Sequence, residues 1–348
     1  MDRQKIQAIL SAFLAAVFYS MSIPISKVLL RTVGPTTMAA LLYLGAGIGI
    51  GILSLCSRKD RERSERLTKK DLPFAVGMIV LDIAAPILLM LGIVHGSSAN
   101  ASLLGNFEIT ATTVIALLVY KEVVSGRLWL AIALITLSSI LLSFEGTDSL
   151  RFSYGSLYVL LATVCWGFEN NCTRNISSKN TFEIVVLKGV FSGLGSLVIA
   201  LILKEKMPGI GQAALAMLLG FLAYGLSIFL YIRAQRTLGA AKTSAYYAAA
   251  PFVGAFLSFV FLKEPLSWRY IAALAIMLAG SALVVADTLI RQHEHLHVHT
   301  FTHTHDGSTH THTVTHAHTH SHYVTDSRHG HRHSSKELEG LPGSRHSS

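Results

Sequence analysis

Charged side chains inside long apolar runs mark where this chain could do chemistry. Asp82 and Glu108 each sit near the middle of such a run, Leu72 to Val94 and Ser97 to Val119. A carboxyl buried in low-dielectric surroundings is pushed towards neutrality and can exchange a proton near physiological pH. That chemistry predicts proton coupling through Glu108, with Asp82 as its partner or as a solute contact; the plainer reading is hydrogen-bonded packing between helices. A second cluster reads Trp166-Gly167-Phe168-Glu169-Asn170-Asn171-Cys172-Thr173-Arg174. On a helix, Trp166, Asn170, Thr173 and Arg174 fall along one side with Glu169 flanking it, which suits a cavity lining or a polar helix–helix seam. Lys188 on the next run is a candidate partner for Glu169. Tyr224, with Tyr231, Tyr246 and Tyr247, offers aromatic lining. Lys27 reads as snorkelling to an interface, and Arg174 as meeting headgroups or a cytoplasmic mouth.

The third chemical feature is the C-terminal stretch, where sixteen of the seventeen histidines lie between His293 and His346. Many follow H-x-H spacing: His293, His295, His297 and His299, then His303 and His305, His310 and His312, and His316, His318, His320 and His322. Neutral imidazole suits Zn, Ni, Co and Cu, and closely spaced copies give multivalent binding. The composition predicts a disordered tail over residues 291–348 that binds divalent metal ions, while no cofactor is required elsewhere. It could supply a transported metal, regulate in response to metal, or buffer it.

The elements that must position these groups are apolar helices. Of 348 residues 51% are hydrophobic and 14% charged, against about 25% charged in soluble domains. Ten stretches are long enough to cross roughly 30 Å of hydrocarbon: Ile6 to Leu29, Thr36 to Cys56, Leu72 to Val94, Ser97 to Val119, Leu128 to Phe144, Ser153 to Ile176, Thr181 to Leu203, Gly211 to Ile232, Ala240 to Leu262 and Trp268 to Ile290. Pro24, Pro86 and Pro251 lie inside them and predict kinks. Glycines at 45, 47, 49, 51, 189, 193 and 195 predict close helix crossings. The net charge of +9 is an orientation signal, because the loops and N-terminus on one side carry sixteen Lys/Arg and the other side six, seven of the sixteen in Ser57 to Asp71. The positive-inside rule then places both termini in the cytoplasm and the protein in the cell membrane, with no role for nucleic acid. Cys56, Cys165 and Cys172 form no disulfide framework.

The chain also repeats. A shift of 142 residues pairs Ser102 with Ser244, Lys121-Glu122 with Lys263-Glu264, Ser125 with Ser267 and Arg127 with Arg269. Five spans in each half, an odd number, predict two inverted five-helix repeats, residues 1–146 and 147–290.

Tyr120-Lys121-Glu122, Leu262-Lys263-Glu264-Pro265, Ala249-Ala250-Pro251 and Cys165-Trp166-Gly167, in this order and duplicated, resemble the EamA-type transporters of the drug/metabolite transporter superfamily. The resemblance implies a ten-helix bundle moving small solutes. One departure is Ile109, which stands where the first half would carry the counterpart of Pro251. The expected protein is therefore an all-α integral membrane protein with a disordered C-terminal tail, a secondary transporter of a small organic metabolite by alternating access, proton-coupled in the sharper reading. A divalent transition-metal transporter, or one regulated by metal at the tail, is the alternative. No nucleophile–base constellation or H-E-x-x-H motif points to an enzyme, and a homodimer is compatible with the sequence.

Overall fold

The structure, a computed structural model, describes residues 3–56, 66–120, 125–145, 151–176, 179–238, 243, 246–264, 266–288, 290–305 and 308–323. The helices are α1 (Arg3–Ser20), α2 (Ser22–Leu29), α3 (Pro35–Cys56), α4 (Leu72–His95), α5 (Ser98–Leu104), α6 (Phe107–Tyr120), α7 (Gly126–Ser143), α8 (Tyr154–Asn175), α9 (Thr181–Ile202), α10 (Ile210–Gly220), α11 (Ser227–Leu238), α12 (Ala250–Leu262) and α13 (Trp268–Thr288). A π-helical turn, Phe221–Leu226, joins α10 to α11. A two-residue antiparallel pair, β1 (Phe144–Glu145) with β2 (Arg151–Phe152), links α7 to α8.

Local sequence starts these helices. Ser97, Ser125 and Ser153 each accept a hydrogen bond from the backbone N–H three residues on, and Asn180 accepts from Phe182 and Glu183. Those side chains satisfy amides that a helix start leaves open. Two helices end alike: Lys204 and Lys263 adopt left-handed backbone, with φ of 55° and 52°, and the glutamate after each caps another helix. Glu205 accepts from the N–H groups of Thr36 and Thr37 at the start of α3. Glu264 accepts from the N–H groups of Ser98 and Ala99 and from the hydroxyls of Ser97 and Ser98 at the start of α5. The counterpart Lys121-Glu122, like Pro265, lies outside the described residues.

Among the described residues eight helical stretches are long and apolar enough to cross a membrane, and Ala250–Leu262 is a shorter apolar helix. Burial is arranged for a lipid solvent. Leu10, Phe13, Ile52, Val80, Phe191 and Val198 face outward, while Ser26, Asp82, Ser138, Thr163 and Ser192 are fully enclosed. With hydrocarbon outside, polar side chains find partners only inside the bundle.

Glycine sets the closest crossings. A Cβ on Gly47 would lie 2.6 Å from the backbone nitrogen of Val190, and one on Gly189 2.5 Å from the Cα of Gly47, where α3 crosses α9. On the other side of α3, a Cβ on Gly45 would meet the Met217 carbonyl at 2.0 Å. Gly51 stands clear, its nearest neighbour at 4.0 Å. The halves expected from sequence are units of sequence rather than of folding. α3 packs on α9, α4 on α8, and α1 on α11 and α12, so Met1–Val285 forms one compact unit.

The second unit is Ala286–Ser348. Its described residues are 286–288, 290–305 and 308–323. β3 (Ile290–His305) and β4 (Ser308–Tyr323) pair antiparallel over their full length. The physical reason is in the composition: His and Thr alternate with period 2, Thr and Val favour extended backbone, and residues 306 and 307 read Asp-Gly, a sequence tight hairpins prefer. Residues 324–348, with their histidines, lie outside the described residues.

Candidate functional site

Helix breaks converge on one cavity. α1 gives way to α2 between Ser20 and Ser22, where Pro24 supplies no N–H for the Ser20 carbonyl. Between α5 and α6 the backbone tightens to i→i+3 bonds, Asn106 to Leu103 and Glu108 to Gly105. The π turn interrupts the eighth span at Phe221–Leu226, and α12 begins only at Ala250, beside Pro251. Ser20, Ser22, Gly105, Asn106, Tyr224, Ala250 and Pro251 all line a cavity of about 350 Å³. Pro86 does not act this way, because α4 runs through it uninterrupted. Ile109 and Pro251, equivalent in the repeat, both line the cavity.

Around this space the charged residues form a short network. Lys188 Nζ lies 3.0 Å from Asp82 Oδ2 and 3.0 Å from Glu169 Oε1. Tyr43 donates its hydroxyl to Asp82 Oδ1 at 3.0 Å, and the Thr173 hydroxyl donates to Glu169. Glu108, in the first turn of α6, accepts from Asn170 Nδ2 at 2.7 Å, and the same amide donates to the Thr112 hydroxyl at 3.2 Å. A helix N-terminus favours negative charge, so the break that opens the cavity also suits the carboxylate beside it. Asp82 is fully buried and Glu169 2% exposed; one lysine offsets both.

The aromatic wall joins the halves. Tyr247 and Tyr19 have ring centroids 5.6 Å apart, Tyr19 and Tyr224 5.9 Å, and Tyr224 and Tyr43 5.6 Å. Together with Trp166, all four tyrosines face the cavity.

Two matches to one family cover residues 6–144 and 153–286, each under the description EamA-like transporter family. The chain belongs to the EamA-like transporter family. A protein of Methanothermobacter thermautotrophicus described as an uncharacterized transporter is 25% identical over 291 residues, 78% of this chain and 84% of its own. A solved crystal structure is similar in fold, with a TM-score of 0.58 at 18% identity over 81% of this chain and 96% of its own. The protein is thus a multi-pass membrane transporter and not an enzyme.

Of the charged, amide and aromatic side chains singled out by sequence, this EamA-like transporter brings eight together: Glu108, Trp166, Glu169, Asn170, Lys188, Tyr224 and Tyr247 line the cavity, and Asp82 backs it through Lys188. Arg174 stays apart at the exposed end of α8. One reading needs correction. Asp82 pairs with Lys188 and Tyr43 rather than with Glu108, because helix packing turns it towards α9 and α3. Lys27 Nζ donates to the carbonyl of Ile93 and, at 2.7 Å, to that of Gly96, where the open carbonyls ending α4 attract a cation. Tyr19, Tyr43 and Asn106 were not marked by sequence. Nothing distinguishes a cavity tyrosine from a packing one until helices are placed, although the Gly105-Asn106 pair beside Glu108 signals a break.

The tail histidines occupy β3 and β4. The register pairs His293 with His320, His295 with His318, His297 with His316 and His303 with His310. Strand alternation then places His299, His305, His312 and His322 on the same face as these eight.

Proposed function

We propose that this EamA-like transporter is a secondary transporter that carries a small organic solute by alternating access, with the central cavity as its binding site and Glu108 as the proton-coupling carboxylate. The observation that carries this reading is the convergence of four helix breaks on a cavity holding Glu108 and the Lys188 network. Broken helices near mid-membrane are where repeat transporters bind substrate and coupling ion, and ionisable groups at that depth are costly unless they work. The proposed architecture has ten spans: α8, long but interrupted by charge, and the short α12 complete the eight most apolar helices as two inverted repeats. Because α3 with α9 and α4 with α8 bind the halves together, the proposed motion rocks bundles drawn from both halves. The proposed setting is the cell membrane with both termini cytoplasmic.

The test is uptake by proteoliposomes across a panel of amino acids, amines, nucleosides and divalent metals, with and without an imposed pH gradient. Glu108→Gln should abolish acceleration by the gradient while leaving solute exchange without a gradient measurable. Gradient-driven uptake that survives the substitution removes the coupling role.

A second reading concerns the tail. Twelve histidines sharing one hairpin face favour binding of Zn, Ni, Co or Cu there, which would regulate the protein or buffer the metal. Metal as cargo is tested by the same panel.

A further inference from the structure

The ionisable groups at the cavity do not sum to zero. Among the described residues Asp82, Glu108 and Glu169 stand against a single lysine, and Lys188 is already shared between Asp82 and Glu169 at 3.0 Å each. Glu108 accepts instead from a neutral donor, the Asn170 amide, at 2.7 Å. Among the described residues no Lys, Arg or His lies within ion-pair distance of it. A buried carboxylate without a counter-charge is strongly unfavourable, so it favours entry of a positive group. An anion in the same place would face Glu108 and Glu169, with Lys188 already engaged.

The rest of the lining suits the same visitor. The run Tyr247, Tyr19, Tyr224, Tyr43, with centroids 5.6–5.9 Å apart, presents electron-rich rings, and these attract organic cations seated within about 6 Å of a ring centre. Asn106 is 3% exposed and lines the cavity, and among the described residues its amide nitrogen has no partner. An open buried donor calls for an acceptor on the ligand. The volume of about 350 Å³ is near the lower end for ligand pockets, which limits the cation to a small one.

We infer that the cargo is a small organic cation, an ammonium compound carrying a hydrogen-bond acceptor, whose positive group sits between Glu108 and the tyrosine rings and whose acceptor meets Asn106. This rests on the cavity being the transport site. It goes further by naming the charge class of the solute.

The experiment measures binding to the purified full-length protein by calorimetry and by tryptophan fluorescence, since Trp166 lines the site. The probes are choline, phenethylammonium and tetraethylammonium, with 3,3-dimethyl-1-butanol as the neutral isostere of choline and 3,3-dimethylbutanoate as an anion. At least one ammonium probe should bind at least tenfold more tightly than the alcohol, and the anion should not bind. Glu108→Gln should lower that cation's affinity at least tenfold and leave the alcohol's unchanged, while Glu108→Asp retains most of the preference and guards against misfolding. Preference for the alcohol or the anion, binding indifferent to Glu108→Gln, or no binding of any ammonium probe would overturn the inference. Cation binding without flux in proteoliposomes would instead remove the transport reading and leave the cation site standing. Flux of neutral or anionic solutes alone would do the reverse.

Discussion

Lys188 is the residue on which the buried network depends, since its one charge serves Asp82 and Glu169. Removing one partner from a buried ion pair costs about 3–5 kcal/mol, because the other charge remains without compensation. Lys188→Met should therefore lower the thermal midpoint in detergent sharply, and adding Asp82→Asn and Glu169→Gln should recover much of that loss. A triple variant no more stable than the single one would show that Lys188 acts mainly through packing. The charged members of this network were legible in the sequence because charge inside an apolar run is conspicuous. Their pairing was not, since it depends on how α4, α8 and α9 turn towards one another.

Helix ends and crossings carry the next set of consequences. Burial pushes the carboxyl of Glu264 up, but hydrogen bonds from Ser97, Ala99 and Ser98 outweigh it and hold the group below the usual carboxylate range. Glu205 behaves likewise through Thr37 and Thr36. A carboxyl lowered in the folded state contributes stability that is present above its unfolded value of about 4.3 and is lost as pH falls through the lower folded value. Thermal stability should thus decline as pH drops below about 4.3, and Glu205→Gln with Glu264→Gln should flatten that decline; an unchanged pH profile would refute the capping role. At the α3–α9 crossing, where a Cβ would meet backbone, Gly47→Ala and Gly189→Ala should each destabilise by about 1–3 kcal/mol, whereas Gly51→Ala should be near neutral. In the hairpin, inserting one residue into β4 between Val314 and Thr315 keeps every histidine but moves those beyond it to the opposite face. Zinc affinity measured by calorimetry should fall at least tenfold. Equal affinity would identify a chelator indifferent to strand pairing.

At the scale of the molecule, residues up to Val285 and those from Ala286 form separate compact units. A chain ending at residue 290 should keep the thermal midpoint and cavity ligand affinity of the intact protein while losing tail-dependent metal binding; a large drop in midpoint would show that the units depend on each other. The sequence by itself determined the solvent and the family: long apolar runs demand lipid, and a duplicated pattern of helix, Lys-Glu and helix marks the EamA-like repeat. It also carried the histidine alternation, because period 2 is a local property of the chain. Only the tertiary structure decided that Asp82 answers to Lys188, that Lys27 closes the end of α4, that Lys204-Glu205 repeats the corner made by Lys263-Glu264, and that Tyr19, Tyr43 and Asn106 belong to the cavity. Each of these depends on which helix faces are brought together. In a bundle whose exterior is as apolar as its packing seams, hydropathy alone does not distinguish one face from another; small residues and polar partners make that choice.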